Sequence, residues 1–152
     1  MTLQRLSCPR SRTMIDGNAY FCLEQAARYA YPEEGCGVLL GDRDARIVQE
    51  SRSLDNRAGE DASRRHYRIE PPDLLRLERR AEEEGYQILG FWHTHVDEEA
   101  VLSGEDEQNM VPGMIYLILP VKEGKPGRGR AYEKPAADEA ASEISIILKE
   151  SR

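Results

Sequence analysis

Apolar positions recur at helical spacing through Ala19, Cys22, Leu23, Ala26, Ala27 and Ala30, which predicts a helix starting near Asp16 with one face on a core. Pro32 disfavours helical geometry at Tyr31 and ends it. After Glu33-Glu34-Gly35, the run Cys36-Gly37-Val38-Leu39-Leu40-Gly41 has the length and apolarity of a buried strand, and a turn leads into a return strand over 45–50. Residues 51–64 are polar and aperiodic, the composition of a surface loop. His66-Tyr67-Arg68-Ile69 alternates like a short strand. Pro71-Pro72-Asp73 then opens a helix whose apolar stripe is Leu74, Leu77 and Ala81, closed by Gly85. Tyr86 to Trp92 supplies the next strand, with His93 and His95 at or just beyond its end. A helical segment is expected over 104–110, a central strand over 114–120, a Gly- and Lys-rich turn after it, and a strand at Ala131-Tyr132-Glu133. A short helix or turn over 135–142 and a closing strand over 143–148 complete the pattern. The expected fold is α+β: a mixed central β-sheet flanked by two or three helices, one layered domain over 15–152. Residues 1–14 are expected to form a loose leader, or their first dozen a short edge strand.

Length and charge narrow the role. A chain of 152 residues buries roughly 68–70% of its unfolded surface in one core, which leaves little room for a regulatory domain. The 28 acidic residues outnumber the 21 Lys and Arg, giving a net charge of -7, which argues against nucleic acid and anionic membranes as partners. No apolar run is long enough to span a bilayer and the start lacks a signal-peptide core, so a cytoplasmic location is expected. Cys8, Cys22 and Cys36 form no C-x-x-C pair. Cys22 and Cys36, in apolar runs, are expected to be buried thiols, and Cys8 an exposed one.

The chemistry concentrates in FWHTHVDEEAVLSGED. In an extended chain His93 and His95 share a face while Thr94 points to the other, so two imidazoles can converge on one ion. Asp106, in the first turn of a helix starting at Ser103, is the natural third ligand. Two nitrogens and one oxygen leave a fourth tetrahedral position open for water, the arrangement of a catalytic Zn2+ site with one ion. Plainer readings exist. His-x-His arises by chance, Ser103-x-x-Asp106 fits a helix capping box, and Glu33-Glu34 fits a solvated acidic turn. Metal hydrolysis also needs a positioned base, and Glu34, between a helix end and a buried strand, is the internal candidate. His66 reads as a surface or packing residue, Trp92 as packing for the histidine strand, and GKPGRGR as a solvated connection lacking the phosphate-loop pattern.

The combination of His93-Thr94-His95, seven residues, Ser103-Gly104-Glu105-Asp106, and the upstream Glu34 in PEEGCGVLLG resembles the JAMM family of zinc metalloproteases, as a small prokaryotic-type member. The likeness spans most of residues 15–135. It implies an MPN-type, cytidine-deaminase-like architecture in which His93, His95 and Asp106 bind zinc. It implies Glu34 as general base and then acid, and Ser103 as a catalytic group that helps stabilise the oxyanion. The chain departs from the family at Val96, where members commonly carry proline, and the acidic Asp97-Glu98-Glu99 follows. A less rigid loop is expected there. The implied activity is a zinc-dependent metallopeptidase or isopeptidase cutting near the C-terminal tail of a ubiquitin-like or sulfur-carrier protein, by a monomer or homodimer. The tail would add as a strand in a groove bordered by 51–64 and 96–102. The alternatives are a non-catalytic MPN-type interaction scaffold and a small-amide metallohydrolase.

Overall fold

A computed structural model describes residues 12–54 and 71–150. Asp16 caps the first helix by accepting the Asn18 N–H at 2.9 Å, which starts α1 (Gly17–Ala30) where the apolar spacing begins. Ala19, Leu23 and Ala27 form its buried stripe. Cys22 lies off that stripe and is exposed, against expectation, whereas Cys36 is buried. The preceding strand β1 (Arg12–Asp16) takes up the last residues expected in the leader and pairs in parallel with β3 and with β8; residues 1–11, where the leader or short edge strand is expected, lie outside the described residues.

β2 (Cys36–Asp42) and β3 (Ile47–Leu54) form the expected hairpin, but β3 extends through Leu54, so the first positions of the supposed surface loop are strand. The rest of that loop, with His66 and the strand expected after it, lies outside the described residues, as does Cys8. α2 (Pro71–Glu83) buries Ala81 and packs Leu74 and Leu77 against Val38, Leu40 and Ile88. β4 (Gln87–Val96) continues past Trp92 through both histidines, because β5 (Ile115–Lys122) pairs with it in parallel as far as Val96. The two histidines therefore sit inside a strand rather than beyond its end. After α3 (Gly104–Gln108) and β5 come β6 (Lys125–Pro126), β7 (Arg130–Glu133) and β8 (Ser142–Lys149); turns, without a helix, join β7 to β8.

The strand order is β4-β2-β3-β1-β8-β7-β5-β6, and the β4–β5 pairing closes seven of these strands into a ring. α1 packs Leu23 and Ala27 with Leu39, Trp92, Leu117 and Leu119 in the main core. Backbones approach closely across this sheet. A Cβ at Gly90 would fall 1.9 Å from the Ile115 carbonyl oxygen, and one at Gly37 2.4 Å from Trp92 Nε1. The Trp92 indole donates to the Arg52 carbonyl at 3.3 Å and is 1% exposed, so it supports the histidine strand by packing, as expected. No helix among the described residues is long and apolar enough to cross a membrane.

Candidate metal centre

A register shift between Leu39 and Leu40 puts an extra residue, Leu89, into β4. Beyond that bulge, Trp92 and Thr94 face the α1 side of the sheet, and Phe91, His93 and His95 face the other. The histidines are 1% and 9% exposed. Their Nε2 atoms lie 3.3 Å apart, and Asp106 Oδ2 is 3.4 Å from that of His93 and 3.2 Å from that of His95. Three donors on a tetrahedral ion with bonds of about 2.0–2.1 Å are separated by about 3.3–3.4 Å, so this triangle has the size zinc requires. Of the described residues, His93, His95 and Asp106 are the group whose donor atoms could hold a metal ion.

The electrostatics suit the same use. Burial pushes the His93 pKa down, favouring the neutral imidazole that ligation needs. Burial also disfavours charge on His95, but bonds to Asp106 and to the Glu99 carbonyl outweigh it and raise its pKa. Asp106 is desolvated too, yet hydrogen bonds from both histidines hold its carboxyl well below the usual range. Glu34 is 4% exposed, and burial pushes its pKa up to about 8, opposed by the charge of His95 and reinforced by Asp106. Its carboxylate thus shares the field of the cluster, and the solvated acidic turn is replaced by a buried acid.

The capping box and the ligand reading hold together. Ser103 Oγ accepts the Asp106 N–H at 3.0 Å, and Asp106 Oδ2 accepts the Ser103 N–H at 3.2 Å, on the carboxylate oxygen that faces the histidines. The Ser103 hydroxyl hydrogen is left to donate.

Two contributions escaped the reading of the sequence. Thr94, set aside as pointing away, accepts the Gly35 N–H on its hydroxyl at 2.9 Å and donates its own N–H to the Gly35 carbonyl at 3.0 Å. This reciprocal pair fastens the residue after Glu34 to the residue between the histidines. A hydroxyl on the opposite face of a buried His-x-His strand was the available signal. The Glu99 carbonyl lies 2.8 Å from His95 Nδ1 and so orients that ring. Being a backbone contact, it leaves no mark in side-chain identity.

The loop after Val96 makes several hydrogen bonds to neighbouring segments. Asp97, at φ 54°, donates its N–H to the Val121 carbonyl at 2.7 Å and accepts the Glu123 N–H at 3.0 Å. The Tyr31 hydroxyl donates to its carboxylate at 3.2 Å, and the Tyr132 hydroxyl donates to the Ala100 carbonyl at 2.9 Å.

Fold and cluster together define a mixed-sheet domain of the MPN type with a candidate metal centre at the end of β4. The family model described as prokaryotic homologs of the JAB domain matches residues 23–133, and the chain belongs to this family. It is 38% identical over 103 residues to the desampylase of Haloferax volcanii, covering 67% of this chain and 70% of that one. A protein from Desulfitobacterium hafniense of known solution structure superposes with a TM-score of 0.76 at 29% identity, covering 91% of this chain and 94% of the other. One from Salinibacter ruber gives 0.67 at 30% identity, with 90% and 92% covered. A JAB1/MPN domain protein from Archaeoglobus fulgidus, at 16% identity and a TM-score of 0.54 over 89% and 99%, shares the fold.

Proposed function

We propose that the protein is a zinc-dependent isopeptidase that releases the C-terminal tail of a ubiquitin-like or sulfur-carrier protein from a peptide or lysine amide. The triangle of 3.2–3.4 Å among His93 Nε2, His95 Nε2 and Asp106 Oδ2 carries this reading. The desampylase of Haloferax volcanii, whose name denotes removal of a modifier, supports the substrate class. His93, His95 and Asp106 would hold the metal. Bound there, zinc would supply Lewis acidity for the scissile carbonyl and its attacking water, and the positive charge that keeps Glu34 as a carboxylate.

The remaining steps fall to the chain. Glu34 takes a proton as the water oxygen attacks the carbonyl carbon, and returns it to the departing amine nitrogen as the C–N bond breaks. Ser103 donates its hydroxyl hydrogen to the carbonyl oxygen as negative charge develops there. Thr94 holds Gly35, and through it the backbone of Glu34, against the histidine strand.

The test is hydrolysis of a Gly-Gly-tailed ubiquitin-like carrier joined to a lysine side chain. Zinc-loaded protein is expected to release the carrier, and Glu34→Gln to lower kcat by about 10²–10⁴ with zinc retained. No product, or unchanged turnover in the variant, would sink the proposal.

A further inference from the structure

The turn that reads in the sequence as a solvated connection has a defined place beside the candidate site. β5 and β6 form a hairpin with Val121 opposite Pro126 and Lys122 opposite Lys125, turning at Glu123 and Gly124. Asp97 ties this hairpin to the histidine strand through the Val121 carbonyl and the Glu123 N–H. Between the hairpin and the Glu99-Ala100 backbone runs an open groove of about 420 Å³. The wall that carries the Glu99 carbonyl is the segment that orients His95. Whatever occupies the groove therefore lies alongside the path to the metal centre.

The groove is basic in a chain of net charge -7. Lys122, Lys125, Arg128 and Arg130 line it, against the single carboxylate of Glu99. Arg130 is engaged by Glu143 at 2.6 Å, whereas Lys122, Lys125 and Arg128 are exposed and make no ion pair with another of the described residues. Lys122 and Lys125 stand opposite each other on the hairpin, with Glu123 at its turn, and Arg128 follows just beyond it; an acidic ligand relieves the mutual repulsion of these cations. The cations stand on long, exposed side chains along the hairpin, which suits several separate carboxylates better than one small anion. A continuous polyanion is disfavoured, because Asp97, which is tied to this hairpin through the Glu123 N–H, and Glu98 and Glu105, whose charges reach Glu34, would repel its further phosphates. A polypeptide with a confined acidic stretch and a neutral tail meets both conditions.

We infer that the hairpin groove docks an acidic stretch of the protein substrate while its uncharged tail enters the metal centre. The inference rests on the function proposed above and adds to it a charge-selective exosite.

Two fluorogenic peptides test it, both ending in Gly-Gly-aminomethylcoumarin, one preceded by a neutral linker and one by the same linker with a block of glutamates. For the zinc-loaded protein at low salt the glutamate block is expected to lower KM about tenfold with kcat unchanged, an advantage lost at high salt. In the Lys122→Glu/Lys125→Glu/Arg128→Glu variant the preference should vanish while the neutral peptide is cleaved as before. Equal KM values in the unaltered protein, or a preference that survives the charge reversal, overturns the exosite. Fluorescence anisotropy of the labelled glutamate peptide, read on metal-free Glu34→Gln protein, separates docking from chemistry. Binding without cleavage of either peptide keeps the exosite and removes the isopeptidase reading. Absence of binding removes the exosite even if both peptides are cut. An equally charged single-stranded oligonucleotide that binds as tightly as the peptide overturns the acidic-polypeptide assignment in favour of a general polyanion site.

Discussion

The candidate site joins two halves built in opposite ways. His93 and His95 lie within β4, paired on one side to β2 up to His93 and on the other to β5 as far as Val96. Ser103 caps and Asp106 lies on α3, a five-residue helix with no buried residue, held by its capping box, by the contacts of Asp106 to the histidines and by Glu107, whose carboxylate accepts the Ala141 N–H at 2.7 Å. One half is positioned by the whole sheet, the other by a few polar bonds. A dication bridging them would stabilise the second half far more than the first, because the sheet keeps its histidines in place without it.

The contrast can be broken most severely from the sheet. Gly90→Ala puts a methyl 1.9 Å from the Ile115 carbonyl oxygen, where backbone must move, and is expected to cost about 3 kcal/mol or more. Urea denaturation checks this; a midpoint equal to that of the unaltered protein would mean that the β4–β5 junction is soft.

Thr94→Val keeps the shape but removes the acceptor of the buried Gly35 N–H, at an expected cost of about 1–3 kcal/mol. If Thr94 positions Glu34, kcat falls with zinc content intact, and Thr94→Ser restores both stability and turnover. A stability loss without a change in kcat would make Thr94 purely structural.

Glu34 gives an effect that depends on pH. Its folded-state pKa of about 8 lies above the ordinary value of 4.5, so between these values the metal-free folded protein keeps a proton that the unfolded chain has lost. Stability therefore falls as pH rises from about 4.5 to about 8, by at most about 1.4 kcal/mol per pH unit, and the contribution is flat outside that window. Subtracting the profile of Glu34→Gln leaves the slope that Glu34 contributes, directly and through its charge on His95. Parallel profiles would place the carboxylate in a more polar setting than its burial indicates.

The smallest effect on stability belongs to the soft half. Ser103→Ala removes the α3 cap, worth about 1 kcal/mol locally, with little change in Tm. Zinc affinity, measured by chelator competition, is expected to fall about tenfold as the Asp106 N–H loses the Ser103 Oγ that accepts it. A drop in Tm matching that of Thr94→Val would show that α3 is part of the cooperative core.

Legibility in the sequence followed the same division. Elements with a repeating apolar period were readable: α1, the stripe of α2, and the cores of β2, β4 and β5. Where pairing rather than periodicity decides, the apolar pattern does not mark where an element ends. β1 begins within the supposed leader, β3 overruns the supposed loop, and β4 carries the histidines inside it, because each gains its length from a neighbouring strand. Cys22 is exposed for a related reason: α1 buries a narrow stripe of Ala19, Leu23 and Ala27, and apolar neighbours just beside it face water. The spacing of Glu34, His93, His95, Ser103 and Asp106 stands out in the sequence because it resembles the motif of the JAMM family.

The chain's own sequence thus determined the donor types, the alternation that puts two imidazoles on one face, and the helix cap that holds a carboxylate in a first turn. Only the tertiary structure decided the distances among them. Closure of the sheet buries β4, the bulge at Leu89 sets which face the histidines occupy, and the Thr94–Gly35 pair brings Glu34 to that strand from a segment far away in sequence. Residue types can encode which atoms are able to bind an ion, but the 3.2–3.4 Å separations of Asp106 from the histidines arise only when the tertiary fold brings α3 against β4.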